Sequence, residues 1–343
     1  MKYLSLFSGI GGFELGIKQA YENNKNRTSK QSRESIRDNI QHQRDSSDNI
    51  SLHSRICDWT CIGYSEIDKY AIETYQSHFN HKNYGNITKI TTDTLPDFDL
   101  LVGGFPCQSF SIAGKRKGFE DTRGTLFFDI ARILRAKQPR LFLLENVKGL
   151  LSHDNGFTFK TIIATLDELG YNLQWQVLNS KNFGVPQNRE RVFIIGHLRG
   201  TSRPEVFPIG ESNSKDIDQL NNPTHSNNRV YSDGGISPTL NTMQGGNRQP
   251  KIVKVSGDLD KRKTYLGDIA STLAVNPTSD NTARLFEDNK IRRLTPIECE
   301  RLQGFPDNWT IGSDTQRYKQ CGNAVTVNVI QHIMEKLLVD NSK

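Results

Sequence analysis

No apolar run in the 343 residues approaches the ~18 that a membrane helix needs, which excludes a helical membrane protein. Cysteine is scarce, odd in number and scattered (Cys57, Cys61, Cys107, Cys299, Cys321), which argues against a disulfide framework and for a reducing compartment. Met1 leads straight into KYLSLFSGIGG without a long apolar segment or a cleavage site, so no secretory signal is read and a cytoplasmic location is expected. No repeat recurs at solenoid periods. His53, Cys57 and Cys61 are four apart, but Cys61 opens a strand pattern, and no metal site is read. A large charge imbalance is missing too. The formal net charge of +6 permits an anionic partner without requiring one.

What is present is a chain of about two domains' length. KYLSLF reads as a buried strand that breaks at Ser8-Gly9-Ile10-Gly11-Gly12 and resumes as FELGIKQAY with helical spacing. Such a strand, glycine turn and helix allow a cofactor to approach the backbone and the helix N-terminus. Glu14 stands where the third glycine of G-x-G-x-x-G would fall, which disfavours a nicotinamide dinucleotide. From about Glu22 to Arg55 the composition is too polar for a core and reads as an inserted surface segment. CIGYSEID then supplies a second strand ending at Glu66, a carboxylate placed to accept hydrogen bonds from a ribose. FDLLVGGFP, LFFDIARILRA, PRLFLLENV, TFKTIIATLDELG, LQWQVLN and RVFIIG continue the alternation, which predicts a doubly wound α/β sheet. After His197 the pattern dissolves into turn-rich pieces up to about Lys290, and VTVNVIQHIMEKLL closes the chain with helical periodicity.

In an open α/β sheet, ligands bind beyond the carboxyl ends of the strands. GGFPCQSFS puts Cys107 just after one such end, LFLLENV ends another strand at Glu145, and QNRER brings Arg189 and Arg191 before VFIIG. Cys107 alone reads more readily as a buried structural cysteine, the commoner fate of a lone Cys. A thiol and a carboxyl at one sheet edge, with guanidinium groups nearby, make a nucleophile and acid arrangement.

FSGIGGFELG, SEID, GGFPCQSFSIAG, DTRGTLFFDIARI, LENVKGL, QNRERVFIIG, RRLTPIECERLQGFP and QCGNAV occur in this order, and together they resemble the cytosine-5 DNA methyltransferase family. The resemblance implies a Rossmann-like, S-adenosylmethionine-dependent methyltransferase domain over residues 1–196. It implies an irregular target-recognition domain over 197–290, a hinge segment over 291–315 and a returning C-terminal helix over 316–343. It implies that the Cys107 thiolate adds to carbon 6 of cytosine, that Glu145 engages N3 and the amino group, that Arg191 holds Glu145 and touches the base carbonyl, with Arg189 counted beside it, and that Pro106 fixes the backbone before the nucleophile. Carbon 6 is inaccessible in a stacked duplex, so base flipping is implied as well.

For the cofactor, the family implies contacts from Phe7, Gly9, Gly11 and Gly12, from Glu66 to the ribose, from Ile67 to the adenine, and from Asn86, Ile87, Pro106, Leu126 and Asn323. Asn86 stands where the family often has Asp; it keeps an acceptor oxygen for an adenine amino group but loses the charge. Duplex DNA is the implied partner, met by Gln108, Ser111, a lid carrying Lys115, Arg116 and Lys117, and Arg248 and Lys251, with Thr239 or Thr272 as further candidates. Residues 197–290 hold 12 Lys and Arg against 11 Asp and Glu, so this region is not a generic basic clamp. A cognate restriction endonuclease would be a functional partner, and the enzyme is expected to be a monomer. RNA methylation and a DNA-binding protein without catalysis are the alternatives.

Overall fold

A computed structural model of the chain describes residues 1–42, 59–106, 126–201, 205–210, 230–232, 237–240, 251–253 and 292–339. Its centre is a six-stranded sheet. The strands are β1 (Lys2–Leu6), β2 (Thr60–Ser65), β3 (Leu100–Gly104), β4 (Leu141–Val147), β5 (Tyr171–Asn179) and β7 (Glu190–Leu198), in the spatial order β2-β1-β3-β4-β7-β5. β1 to β4 run parallel, and β7 is antiparallel to both β4 and β5.

Parallel strands covered on both faces read as continuous apolar runs. LFLLENV in β4 is buried from Leu141 through Asn146. Alternate residues feed two cores. Tyr3, Val102 and Leu143 pack with Phe13 and Ile17 of α1 (Gly12–His42) and with Ile330 and Ile333 of the C-terminal helix. Leu4, Leu101 and Leu144 pack with Ile130 and Leu134 of α3 (Leu126–Lys137) and with Ile162 and Leu166 of α4 (Phe157–Glu168). Helices on both faces make the doubly wound sheet that the alternating pattern predicts.

The polar segment from Glu22, read as an inserted surface segment, begins as a continuation of α1, which runs through it to His42. Residues 17–42 contain no Gly or Pro and are rich in Lys, Arg, Glu and Gln, so nothing breaks the helix once the buried turns have nucleated it. Polar composition does not preclude helix. α2 (Lys69–His78) follows β2 and is capped by Asp68. Toward the C-terminus, α5 (Pro296–Leu302) starts on a Thr295/Glu298 capping box, then come α6 (Asp314–Asn323) and α7 (Val327–Val339). Short pieces β6 (Gln187–Asn188), β8 (Val230–Ser232), β9 (Ser237–Pro238), β10 (Lys251–Val253) and β11 (Arg292–Arg293) form a β6-β9 pair and a β11-β10-β8 sheet. Among the described residues no helix is long and apolar enough to cross a membrane.

Glu14, the residue that breaks the dinucleotide pattern, lies inside the fold at 1% exposure. The Tyr75 hydroxyl donates to its Oε1 at 3.0 Å, while Oε2 has no hydrogen-bond partner. Burial raises its pKa to about 7. An unfolded glutamate titrates near ~4.3, so the folded state holds this proton more tightly. The stability it contributes is fully present below the unfolded value and is lost as pH rises through about 7. By linkage the loss is about 4 kcal/mol. Thermal melting across pH 5 to 8 should therefore show Glu14→Gln with a flatter profile, and more stable than the parent above neutrality. A parallel decline in both proteins would refute the assignment.

Candidate active site

The parallel register brings the carboxyl ends of β1 to β4 to one edge. Leu6 pairs with Ser65 and with Gly103, and Gly104 pairs with Glu145. The chain leaves β1 through Phe7 and Gly9, both at positive φ (53° and 54°). A Cβ at Gly9 would meet nothing within 4 Å, so the turn faces open space. Gly9 N donates to Glu66 Oε2 at 2.9 Å, and the amides of Ile67 and Asp68 donate to Glu66 Oε1 at 2.8 and 2.9 Å. Three amides thus fix a carboxylate whose remaining lone pairs stay available to a ligand hydroxyl.

A cavity of about 580 Å³ opens here. It is lined by Phe7, Gly9, Glu66, Ile67, Asn86, Ile87, Pro106, Leu126 and Asn323, and also by Glu145, Arg189 and Arg191. Ile67 is 71% exposed at its rim. Gly11 and Gly12, expected as cofactor contacts, do not line it. Their missing side chains serve packing instead: a Cβ at Gly11 would sit 2.5 Å from the Phe79 ring, and one at Gly12 would sit 2.7 Å from Val325. The Asn86 oxygen, expected to face an adenine amino group, already accepts from Thr88 N and Oγ1, both at 3.0 Å.

At the inner end, Glu145 is 8% exposed and Arg191 Nε lies 3.0 Å from its Oε1. Glu145 pairs with Phe193 and Val147 with Arg191, which makes Arg191 the diagonal cross-strand neighbour of Glu145 on the same face. A Cβ at position 104 would approach Glu145 Oε2 to 3.0 Å, so any larger residue there would crowd the carboxyl. Burial raises the Glu145 pKa, opposed by Arg191 and Arg189. A carboxyl of this kind can donate a proton to a base held in the cavity.

The family model described as C-5 cytosine-specific DNA methylase matches residues 1–339. The chain belongs to that family. A C-5 cytosine-specific DNA methylase transfers a methyl group to DNA, and this chain is such a methyltransferase. It is 39% identical over 348 residues to the Type II methyltransferase M1.ScrFI of Lactococcus lactis subsp. cremoris, covering 98% of this chain and 78% of that one. It is 34% identical over 345 residues to the Type II methyltransferase M.HhaI of Haemophilus parahaemolyticus, covering 97% and 93%. The crystal structure of a DNMT2 variant from Spodoptera frugiperda shares the fold, with a TM-score of 0.67 at 20% identity over 98% of this chain and 99% of that one.

Within this methylase, Arg189, counted with Arg191 at the site, lines the cavity with its guanidinium bonded to backbone. It is 3% exposed, and its Nη atoms donate to the carbonyls of Leu240, Gly322 and Ala324, each at 3.0 Å. Arg189 therefore ties three chain segments together at the wall of the cavity. Thr239 Oγ1 donates to Asn188 O at 2.6 Å beside that tie. Cys107, Gln108, Ser111, Lys115, Arg116, Lys117, Arg248 and Thr272 lie outside the described residues. Lys251 is described by its backbone alone, in β10, where it pairs with Val230 and Arg293.

Three residues that line the cavity were not singled out from sequence. Lys319 Nζ lies 2.6 Å from Asp68 Oδ2, which joins α6 to the cap of α2 across the pocket. Asn146 follows Glu145 and is 2% exposed. Its position inside LENV was the available signal.

Proposed function

We propose that this methylase uses S-adenosylmethionine to methylate carbon 5 of a flipped-out cytosine within a short duplex sequence, through covalent addition of Cys107 to carbon 6. The observation that carries this reading is the continuity of one cavity from the Glu66 carboxylate to the buried Glu145–Arg191 pair, with Pro106, the residue before Cys107, on its wall. The cofactor end fits a nucleoside. Gly9 leaves backbone uncovered, Glu66 offers fixed acceptors for ribose hydroxyls, and Ile67 offers an apolar surface to a base. When bound, S-adenosylmethionine supplies an activated methyl group to carbon 5.

Carbon 5 of cytosine is too weak a nucleophile until a thiolate adds at carbon 6. That addition makes an enamine, and charge developing at N3 is met by the Glu145 proton. Arg191 orients the carboxyl through Nε, its Nη1 donates to the Glu190 carbonyl, and the side chain lines the cavity. Loss of the carbon 5 proton and expulsion of the Cys107 thiolate then release methylcytosine and restore the enzyme.

Discrimination among DNA sequences is assigned to residues 197–290, with Arg248 and Lys251 as candidate contacts and Lys115, Arg116 and Lys117 as candidate phosphate ligands. Two relatives bear Type II methyltransferase names, which supports a modification role beside a restriction endonuclease, in the cytoplasm of a bacterial cell. The test is expression in a methylation-free host, followed by mapping of methylcytosine across the genome. A single recurrent motif is expected, and replacing residues 197–290 with those of a relative of known target should move the mark to the relative's site. Methylcytosine confined to RNA, or a chimera that still marks the original site, would overturn the corresponding half of the reading.

A further inference from the structure

The β3–β4 ladder ends at the pair Gly104 and Glu145. One residue further the strands part to make the cavity, and the next backbone pair, Phe105 with Asn146, is not formed. The Asn146 side chain bridges the gap instead: its Nδ2 donates to Phe105 O at 2.9 Å. Its Oδ1 meanwhile accepts from Val147 N at 2.8 Å. The bond to Phe105 is buried, since Asn146 is 2% and Phe105 3% exposed, while the one from Val147 is partly buried. Phe105 is held on its other side by the Phe127 ring, 5.7 Å away between centroids.

We infer that Asn146 is a positioning residue that sets the nucleophile against the acid. Phe105 is two residues before Cys107, and Asn146 is bonded directly to Glu145. One amide thus fixes the spacing between the chain that carries the thiol and the chain that carries the carboxyl. The chemistry selects asparagine. The position needs a donor toward a carbonyl and an acceptor for an amide on two separate atoms of one short planar group, and a carboxamide offers both at neutral pH where a carboxylate offers only acceptors. An ionised aspartate would keep the bond to Val147 but set a lone pair against Phe105 O.

This inference rests on the covalent role of Cys107 and is tested beside it. The probe is duplex DNA carrying 5-fluorocytosine at the target position found by genome mapping, with S-adenosylmethionine present. The carbon–fluorine bond blocks the final elimination, so the thiol–carbon 6 adduct persists and can be counted. In Asn146→Asp and Asn146→Ala, adduct formation at neutral pH should slow by about 10²-fold, the order expected when reacting groups are misplaced by an ångström, while cofactor affinity stays within about threefold of the parent. Protonating the introduced carboxyl restores a donor toward Phe105 O. The rate of Asn146→Asp relative to the parent should therefore climb as pH falls, while that of Asn146→Ala relative to the parent stays level.

A purely structural defect would not give this difference in pH response between the two variants. Parent-like trapping by Asn146→Ala would overturn the inference. So would a variant-to-parent ratio for Asn146→Asp that does not change with pH, or loss of cofactor binding in step with trapping. If the parent itself forms no adduct, the covalent reading falls, and this inference with it.

Discussion

Cys107→Ser is expected to lower methyl transfer by about 10³-fold or more while leaving cofactor affinity near that of the parent. A neutral hydroxyl at this position is a far weaker nucleophile than a thiolate, and no neighbouring base is required of the fold to activate a thiol. The cofactor end of the cavity is built from other elements: Gly9 after β1, and Glu66 and Ile67 after β2, with the carboxylate held by amides of its own segment. Nothing in that set depends on the sulfur. The measurement is single-turnover methylation of target DNA beside equilibrium binding of S-adenosylmethionine. Substantial turnover by the serine variant would rule out covalent addition by this residue, and lost cofactor binding would show that position 107 also shapes the pocket.

The residues at the sheet edge were legible because each closes a recognisable pattern. Glu66, Gly104 and Glu145 stand where a buried run gives way to polar residues, and parallel register carries those three ends to one place. Even the 57-residue separation of Gly9 and Glu66 does not obscure the pair, since their contact follows from adjacent strands and not from sequence distance. Features that depend on a particular side-chain partner were not legible. Gly11 and Gly12 look identical to Gly9 in a motif, yet what each lacks a Cβ for is decided by Phe79 and Val325, far along the chain. Arg189 shares a motif with Arg191, but its acceptors come from residues 240, 322 and 324. Asn146 was passed over because its role appears only where two strands diverge. The extension of α1 to His42 escaped for a different reason: a stretch this polar leaves no apolar periodicity to read.

Glu145→Gln should retain cofactor binding and lose about 10²–10⁴-fold in rate, the usual worth of general acid catalysis. The substitution is nearly isosteric, and the glutamine oxygen can still accept from Arg191 Nε at the position where Oε1 lies 3.0 Å away. It can also offer a hydrogen bond to N3. What it cannot do is give up a proton as the thiolate adds, so the loss isolates proton transfer from hydrogen bonding. The pH profile supplies the sign. Burial raises the Glu145 pKa, against the pull of Arg191 and Arg189, so the acid form persists above the ordinary carboxylate range and is lost as pH climbs through the raised value. Thiolate formation at Cys107 favours the opposite direction, and the parent should give a bell-shaped single-turnover profile whose alkaline limb reports Glu145. In Glu145→Gln that limb should vanish, leaving a slow rate that only rises with pH until the thiol is ionised. A loss below about tenfold, or an alkaline limb that survives the substitution, would assign the proton to another group and reduce Glu145 to a hydrogen-bonding contact.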